Sequence, residues 1–180
     1  MLTIRTLVLG ASFLLAGAGL SSCLTAPDYP DTPSIEFENI RSERVVADIG
    51  NYDTVTVTVS FRDGDGDLGL DNSETNAPYN LNDASGQPNK FYNNYFFQPQ
   101  ILRDGTFVDF NFTGSFRYDS RFPRIPPIDR NEPKRGNLSF GLQIFQGTFP
   151  AGSQVRFKVS IADRALNVSN EVITDPITIQ

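Results

Sequence analysis

Apolar and polar residues alternate with a period of two through much of the chain beyond residue 34. From Thr54 to Phe61, Val55, Val57, Val59 and Phe61 fall on one side, and Thr54, Thr56, Thr58 and Ser60 on the other. Leu138, Phe140, Leu142 and Ile144 repeat the pattern, as do Val155, Phe157, Val159 and Ile161, with Arg156 and Lys158 facing the opposite way. Val108, Phe110 and Phe112 form a shorter run, and Ile177 and Ile179 close the chain in the same manner. Such alternation, rich in β-branched and aromatic residues, is the mark of half-buried strands in an antiparallel sheet. Strands are predicted near 35–40, 54–61, 91–103, 106–112, 137–145, 154–162 and 171–179. No helical stripe longer than two turns follows the N-terminal leader. The expectation is an all-β domain over residues 35–180, a single antiparallel β-sandwich of about seven strands.

Two stretches break the alternation. Residues 71–90 are rich in Asn, Asp, Ser, Gly and Pro, and residues 119–136 hold four prolines with no strand signal. Loops of this length are uncommon in a compact domain and are often functional. The segment from Phe157 to Asn170, with Asp163 opening its turn, resembles the last hairpin of bacterial immunoglobulin-like modules, in which an Asp-x-x-Gly-Asn turn joins the final two strands. Here Leu166 stands where that turn has glycine. The resemblance implies an immunoglobulin-like form of the sandwich.

The strand ending at Phe61 runs directly into Asp63-Gly-Asp65-Gly-Asp67-Leu-Gly69-Leu-Asp71-Asn-Ser-Glu74. Acidic residues at loop positions 1, 3, 5, 9 and 12 have the spacing of an EF-hand calcium loop, which supplies hard oxygen ligands from alternating positions. Leu68 replaces that loop's glycine and a strand replaces its entering helix, so the likeness is to the wider group of Asp-x-Asp-x-Asp calcium loops. A solvated Asp-Gly turn uses the same residue types. Carboxylates about 5 Å apart repel by roughly 1 kcal/mol in water and about 3 kcal/mol near a protein surface, which a divalent cation would relieve. If the loop after residue 61 and the loop 163–170 share one end of the sandwich, Asp163, Asn167 or Asn170 could complete the shell. The candidate metal set is therefore Asp63, Asp65, Asp67, Gly69, Asp71, Glu74, Asp163 and Asn167, with a structural calcium as the expected cofactor.

At the other end of the chain, Arg5 precedes an apolar run from Leu7 to Ala18, and Leu20-Ser21-Ser22-Cys23 closes it with the only cysteine. The run is too short for a comfortable membrane span. The pattern resembles the lipobox of bacterial lipoproteins, which implies removal of residues 1–22, lipidation of Cys23 and anchoring to a membrane. Leu24 stands where an Asp would argue for inner-membrane retention, so the resemblance implies a cell-envelope protein held at the outer membrane. Pro27, Pro30 and Pro33 recur every third residue, suiting a polyproline II tether over residues 23–34, at about 3.1 Å per residue.

Charge narrows the partners. The chain carries a net charge of −6, and Arg5 is the one charged residue of the leader. That balance argues against nucleic acid as a partner. With no histidine and Cys23 committed to lipid, the commonest general base and a thiol nucleophile are missing. A carboxylate-based hydrolase would need two acids across a cleft, and nothing marks such a pair. The aromatic stretch around Tyr92 and Tyr95, with Tyr79, Tyr118, Asn93 and Asn94, suits either a sugar-stacking platform or a core strand. Arg117, Arg121, Arg124, Arg130, Lys134 and Arg135 make a basic segment that could dock an acidic partner or pair with the acidic loop of the same molecule. The whole resembles Bacteroidota lipoproteins in which a lipobox precedes a β-sandwich bearing an Asp-Gly-Asp-Gly-Asp loop. The expected function is a non-catalytic binding or structural module, anchored to the membrane through lipid, with an envelope protein or a glycan as partner. The alternatives are a glycan-binding accessory lipoprotein and a carboxylate-based hydrolase.

Overall fold

The computed structural model describes residues 27–48, 50–114 and 116–180. The leader, Cys23 and the first residues of the tether lie outside the described residues. Eight strands follow one another: β1 (Ser34–Val45), β2 (Tyr52–Asp63), β3 (Tyr95–Arg103), β4 (Thr106–Asp109), β5 (Lys134–Phe145), β6 (Gln154–Ile161), β7 (Val172–Ile173) and β8 (Ile177–Thr178). They form two antiparallel sheets, β1-β2-β5 and β4-β3-β6-β7, with β8 also paired to β6. The molecule is an all-β sandwich, and the alternating residues build its core.

Val55, Val57, Val59 and Phe61 of β2 face Val155, Phe157, Val159 and Ile161 of β6, and all eight are buried. Leu142 and Ile144 of β5 and Tyr95, Phe97 and Ile101 of β3 complete the layer between the sheets. Phe97 stacks on Phe140 at 5.4 Å and meets Phe157 edge-on at 6.4 Å. Burying each such side chain contributes about 1.5–3 kcal/mol, so the inward face of the period-two pattern is the main source of stability.

The strand ends depart from the sequence expectation for identifiable reasons. β3 begins at Tyr95 rather than residue 91, because Lys90–Tyr92 forms a 3-10 turn capped by the Asn89 side chain, which accepts from the Phe91 amide. β4 stops at Asp109 rather than residue 112. Its partner at the next step is Pro99, which has no N–H to give, although the Pro99 carbonyl still accepts from Phe110. Val108 is consequently on an edge strand and 38% exposed, outside the core that the alternation predicts for it. The last predicted strand, 171–179, is two short pieces separated by Asp175 and Pro176. Between them the buried Thr174 keeps the sheet together: its amide donates to the Phe157 carbonyl and its hydroxyl oxygen accepts from the Phe157 amide.

Asn170 joins the two sheets. Its side chain accepts from the Ile35 amide and donates to the Ile35 carbonyl, taking the place of a strand partner for the start of β1. The Phe157→Ala substitution is expected to cost about 3–5 kcal/mol of unfolding free energy in a urea titration, and Val108→Ala less than about 0.5 kcal/mol. Equal costs would contradict this assignment of the core.

Candidate metal centre

The inward-facing register of the two central strands does not end on an apolar residue. In β2 the series Val55, Val57, Val59, Phe61 continues to Asp63, and in β6 the series Val155, Phe157, Val159, Ile161 continues to Asp163. Period-two geometry therefore carries one carboxylate from each sheet into the end of the core. Asp63 is 0% exposed and Asp163 only 2%. The loop leaving β2 turns back at once, because Leu68 and Leu70 are themselves buried and Leu68 forms an antiparallel bridge with Asp163. That return brings in Asp67. Carboxylate oxygens of Asp63, Asp67 and Asp163 all lie within 4.8 Å of one another.

The hydrogen bonding of the three is unequal. Asp67 accepts from the amides of Arg164 and Ala165 at 3.4 and 3.0 Å. Asp163 accepts from the Asn167 amide at 2.7 Å and from the Asn167 side-chain nitrogen at 2.8 Å. Neither oxygen of Asp63 has a hydrogen-bond partner among the described residues. The Gly66 amide faces Asp63 and favours its charge slightly, but stands outside hydrogen-bonding geometry. An ionised carboxylate without a partner in a buried position costs several kcal/mol. Burial, then repulsion from Asp65, Asp67 and Asp163, pushes Asp63 up to about 7. Burial and the charges of Asp163 and Asp65 push Asp67 up to about 6. Asp163 is raised as well, mainly by burial, against the pull of its Asn167 bonds.

Nearby cations are engaged elsewhere. Lys134 lies opposite Asp63 in the β2–β5 register, yet its ammonium group donates to the carbonyls of Gly66, Ile125 and Pro127 at 2.7–2.8 Å. Arg164 makes a two-pronged pair with Glu74, at 2.6 and 2.8 Å, which holds the Glu74 carboxyl down at about 2. Three hard oxygen ligands from two distant segments, with no ion-pairing cation among the described residues, make a group that could hold a metal ion.

The predicted ligand set is thus divided. Asp63, Asp67 and Asp163 come together. Asp65 stays at the margin, its carboxylate accepting weakly from the Asp67 amide. Asp71 is exposed, and Glu74 turns away from the cluster to Arg164 and to the Asp71 amide, because a guanidinium fork binds a carboxylate better than a crowded anionic site does. Gly69 serves packing: at a φ of +99°, with a Cβ position only 2.3 Å from the Pro123 carbonyl, it lets the loop lie against residues 123–124. Asn167 supports Asp163 through its amide group, and Asn170 belongs to Ile35. Leu166 adopts a φ of +70°, so the turn keeps the left-handed conformation of the glycine it replaces.

Among the described residues the predicted tyrosines do not come together as one exposed platform. Tyr95 is a core residue, 1% exposed, because its place in β3 points it at Phe97, Phe122 and Phe140. Tyr92 is half-buried, with the Arg121 guanidinium 4.3 Å from its ring centroid and covering one face. Tyr79 donates its hydroxyl to the Arg164 carbonyl. The basic segment is partly internal too. Arg121 donates to the carbonyls of Asp71, Glu74, Tyr79 and Tyr92, and so holds the long loop 71–90 in place. Residue pattern alone does not announce the roles of Arg121, Lys134 and Arg164, whose partners are backbone carbonyls or a residue 90 positions away.

The acidic loop also holds the segment that precedes β1. The Gly64 amide donates to the Pro30 carbonyl at 2.9 Å, and a Cβ on Gly64 would lie 2.2 Å from the Tyr29 carbonyl. No protein family, curated protein or solved structure among those compared matches this chain.

The raised carboxyls give the metal-free protein a pH dependence of definite sign. In the unfolded chain an Asp titrates near about 3.9, so between pH 4 and pH 7 the folded state holds more protons than the unfolded state. Stability contributed by the protonated triad is complete below about pH 4 and is lost as pH rises through about 6 and 7, the folded values of Asp67 and Asp63. In chelator, the urea midpoint is expected to be lower at pH 8 than at pH 5, and Asp63→Asn should remove most of the difference. A midpoint that rises from pH 5 to pH 8 would show that the triad does not dominate.

Proposed function

We propose that this protein is a membrane-anchored lipoprotein whose β-sandwich acts as a non-catalytic binding or structural module, stiffened by a calcium ion at one tip. The observation that carries the calcium reading is the Asp63 carboxylate, wholly buried and without a partner among the described residues, facing Asp67 and Asp163. Calcium takes six to eight oxygens at about 2.3–2.6 Å, so ligands on opposite sides of such an ion stand up to about 5 Å apart. The 4.8 Å spread of the three carboxylates suits that shell. The bound ion would replace mutual repulsion by attraction and join the loop after β2 to the loop after β6, one from each sheet. Because Gly64 sits between Asp63 and Asp65 and holds Pro30, the same ion would steady the base of the tether.

The anchor reading rests on the sequence: the apolar leader, the small-residue run and Cys23. Two or three acyl chains on that cysteine would hold the protein at a membrane surface for its lifetime, since each buried methylene contributes about 0.8 kcal/mol. The cell envelope, on its outer membrane, is the location this implies, with an envelope component as partner.

Calcium at a hundred times its dissociation constant is expected to add about 2.7 kcal/mol of stability. For a domain of this size that is about 5–10 °C in the thermal midpoint. Asp163→Asn and Asp67→Asn should abolish the rise, whereas Glu74→Gln should leave it intact. An unchanged midpoint in calcium and in chelator would overturn the metal reading. Labelling with radioactive palmitate is expected to mark the wild-type chain and to fail in Cys23→Ser; equal labelling of both would overturn the anchor.

A further inference from the structure

The edges of the two sheets are not equally protected. An unpaired strand edge offers a row of free N–H and C=O groups to any other strand, and folded proteins blunt such edges with charge, proline, bulges or shortness. β1 carries Glu36, Glu38, Arg41, Glu43 and Arg44 and has a bulge between Phe37 and Asn39. β4 is four residues long and ends in Asp109. β7 and β8 are two residues each, separated by Asp175 and Pro176. β5 has none of these protections over most of its length. It is twelve residues long, pairs only with β2 among the described strands, and contains neither charge nor proline from Gly136 to Phe145.

A groove of about 630 Å³ runs along this edge, between β5 and residues 112–113 and 116–120. Phe112, Phe116, Tyr118, Phe140, Leu142 and Phe145 line it. Phe116 is 55% exposed and Phe145 48%, although both sit among aromatic neighbours. Phe112 holds Phe116 and Tyr118 edge-on at 4.8 and 5.3 Å, which fixes the wall of the groove. Arg117 stands in the same lining, exposed and in no contact ion pair among the described residues; the neighbouring Asp119 feels its charge, yet is half-buried and accepts from the Phe97 amide.

We propose that β5 is the docking edge for an extended strand of a partner protein, one that places an apolar or aromatic side chain in the groove and an acidic side chain on Arg117. The free edge supplies the main-chain bonds and the register; the groove and Arg117 supply selectivity, as in other cases of recognition by strand addition. A second copy fits this edge less well: its β5, residues 134–145, brings no carboxylate to Arg117, and its β1, which brings Glu36, Glu38 and Glu43, has its pairing interrupted by the bulge between Phe37 and Asn39.

The test uses the full chain in detergent micelles and a synthetic ten-residue peptide of alternating threonine and valine, with a central phenylalanine and a terminal aspartate. Fluorescence anisotropy should show saturable binding, and NMR should show amide shifts along residues 136–145. Methylating one alternate set of peptide amides should abolish binding, while methylating the other set should leave it, because only one set faces the edge. Phe116→Ala and Arg117→Glu should each weaken binding on the order of tenfold. Both side chains are exposed, so folding is preserved and an unchanged melting midpoint verifies it. Absence of saturation, equal binding of both methylated peptides, or a sedimenting dimer that Phe116→Ala dissolves would overturn the proposal.

Discussion

The arrangement depends on a conflict built into the strand period. Both central strands bury every second residue, and in both the next inward position after the apolar series is an aspartate. The same geometry that packs Val59 against the opposite sheet therefore forces Asp63 and Asp163 out of water at one end of the core. Apolar burial worth several kcal/mol along each strand holds them there against a desolvation penalty of comparable size. The result is a pair of carboxyls with raised proton affinity, joined by Asp67 once Leu68 and Leu70 draw the loop back to the core.

The remaining charges show how unusual that spot is. Lys134, almost fully buried, has all three of its ammonium protons placed on carbonyls. Arg121 spans four carbonyls of the long loop and β3 approach, and Arg164 is matched to Glu74. Arg44 pairs with the buried Asp53 and with the C-terminal carbonyl. Every one of these groups answers to a protein partner, which is the normal condition of buried polar atoms. Among the described residues Asp63 is the buried carboxylate that does not, and with Asp67 and Asp163 it makes a group that could hold a metal ion.

The sandwich thus has an acidic triad that could hold a metal ion at one tip and an unguarded strand along one edge. The segment before β1 is bound at the tip, through Gly64 and Pro30, whereas the unguarded edge runs the length of β5 away from Lys134 toward Phe145. A strand added there would continue the three-stranded sheet and cover the exposed rings of Phe116 and Phe145.

Alternation alone determined the strands of the sandwich and named most of the core, because a period of two leaves one face for water and one for packing in any antiparallel sheet. It also placed the acidic cluster at the end of a strand. Tertiary structure decided which acids meet. Asp63 and Asp163 are a hundred residues apart, and their convergence required the pairing of strands into two facing sheets. It decided that Glu74 turns to Arg164, since a long-range ion pair leaves no trace in local spacing. It decided too that Tyr95 packs inside, and that β4 stops where Pro99 can no longer donate. The physical reason is common to these cases: spacing fixes which side of a strand a residue takes, whereas what stands across from it depends on how distant segments pack.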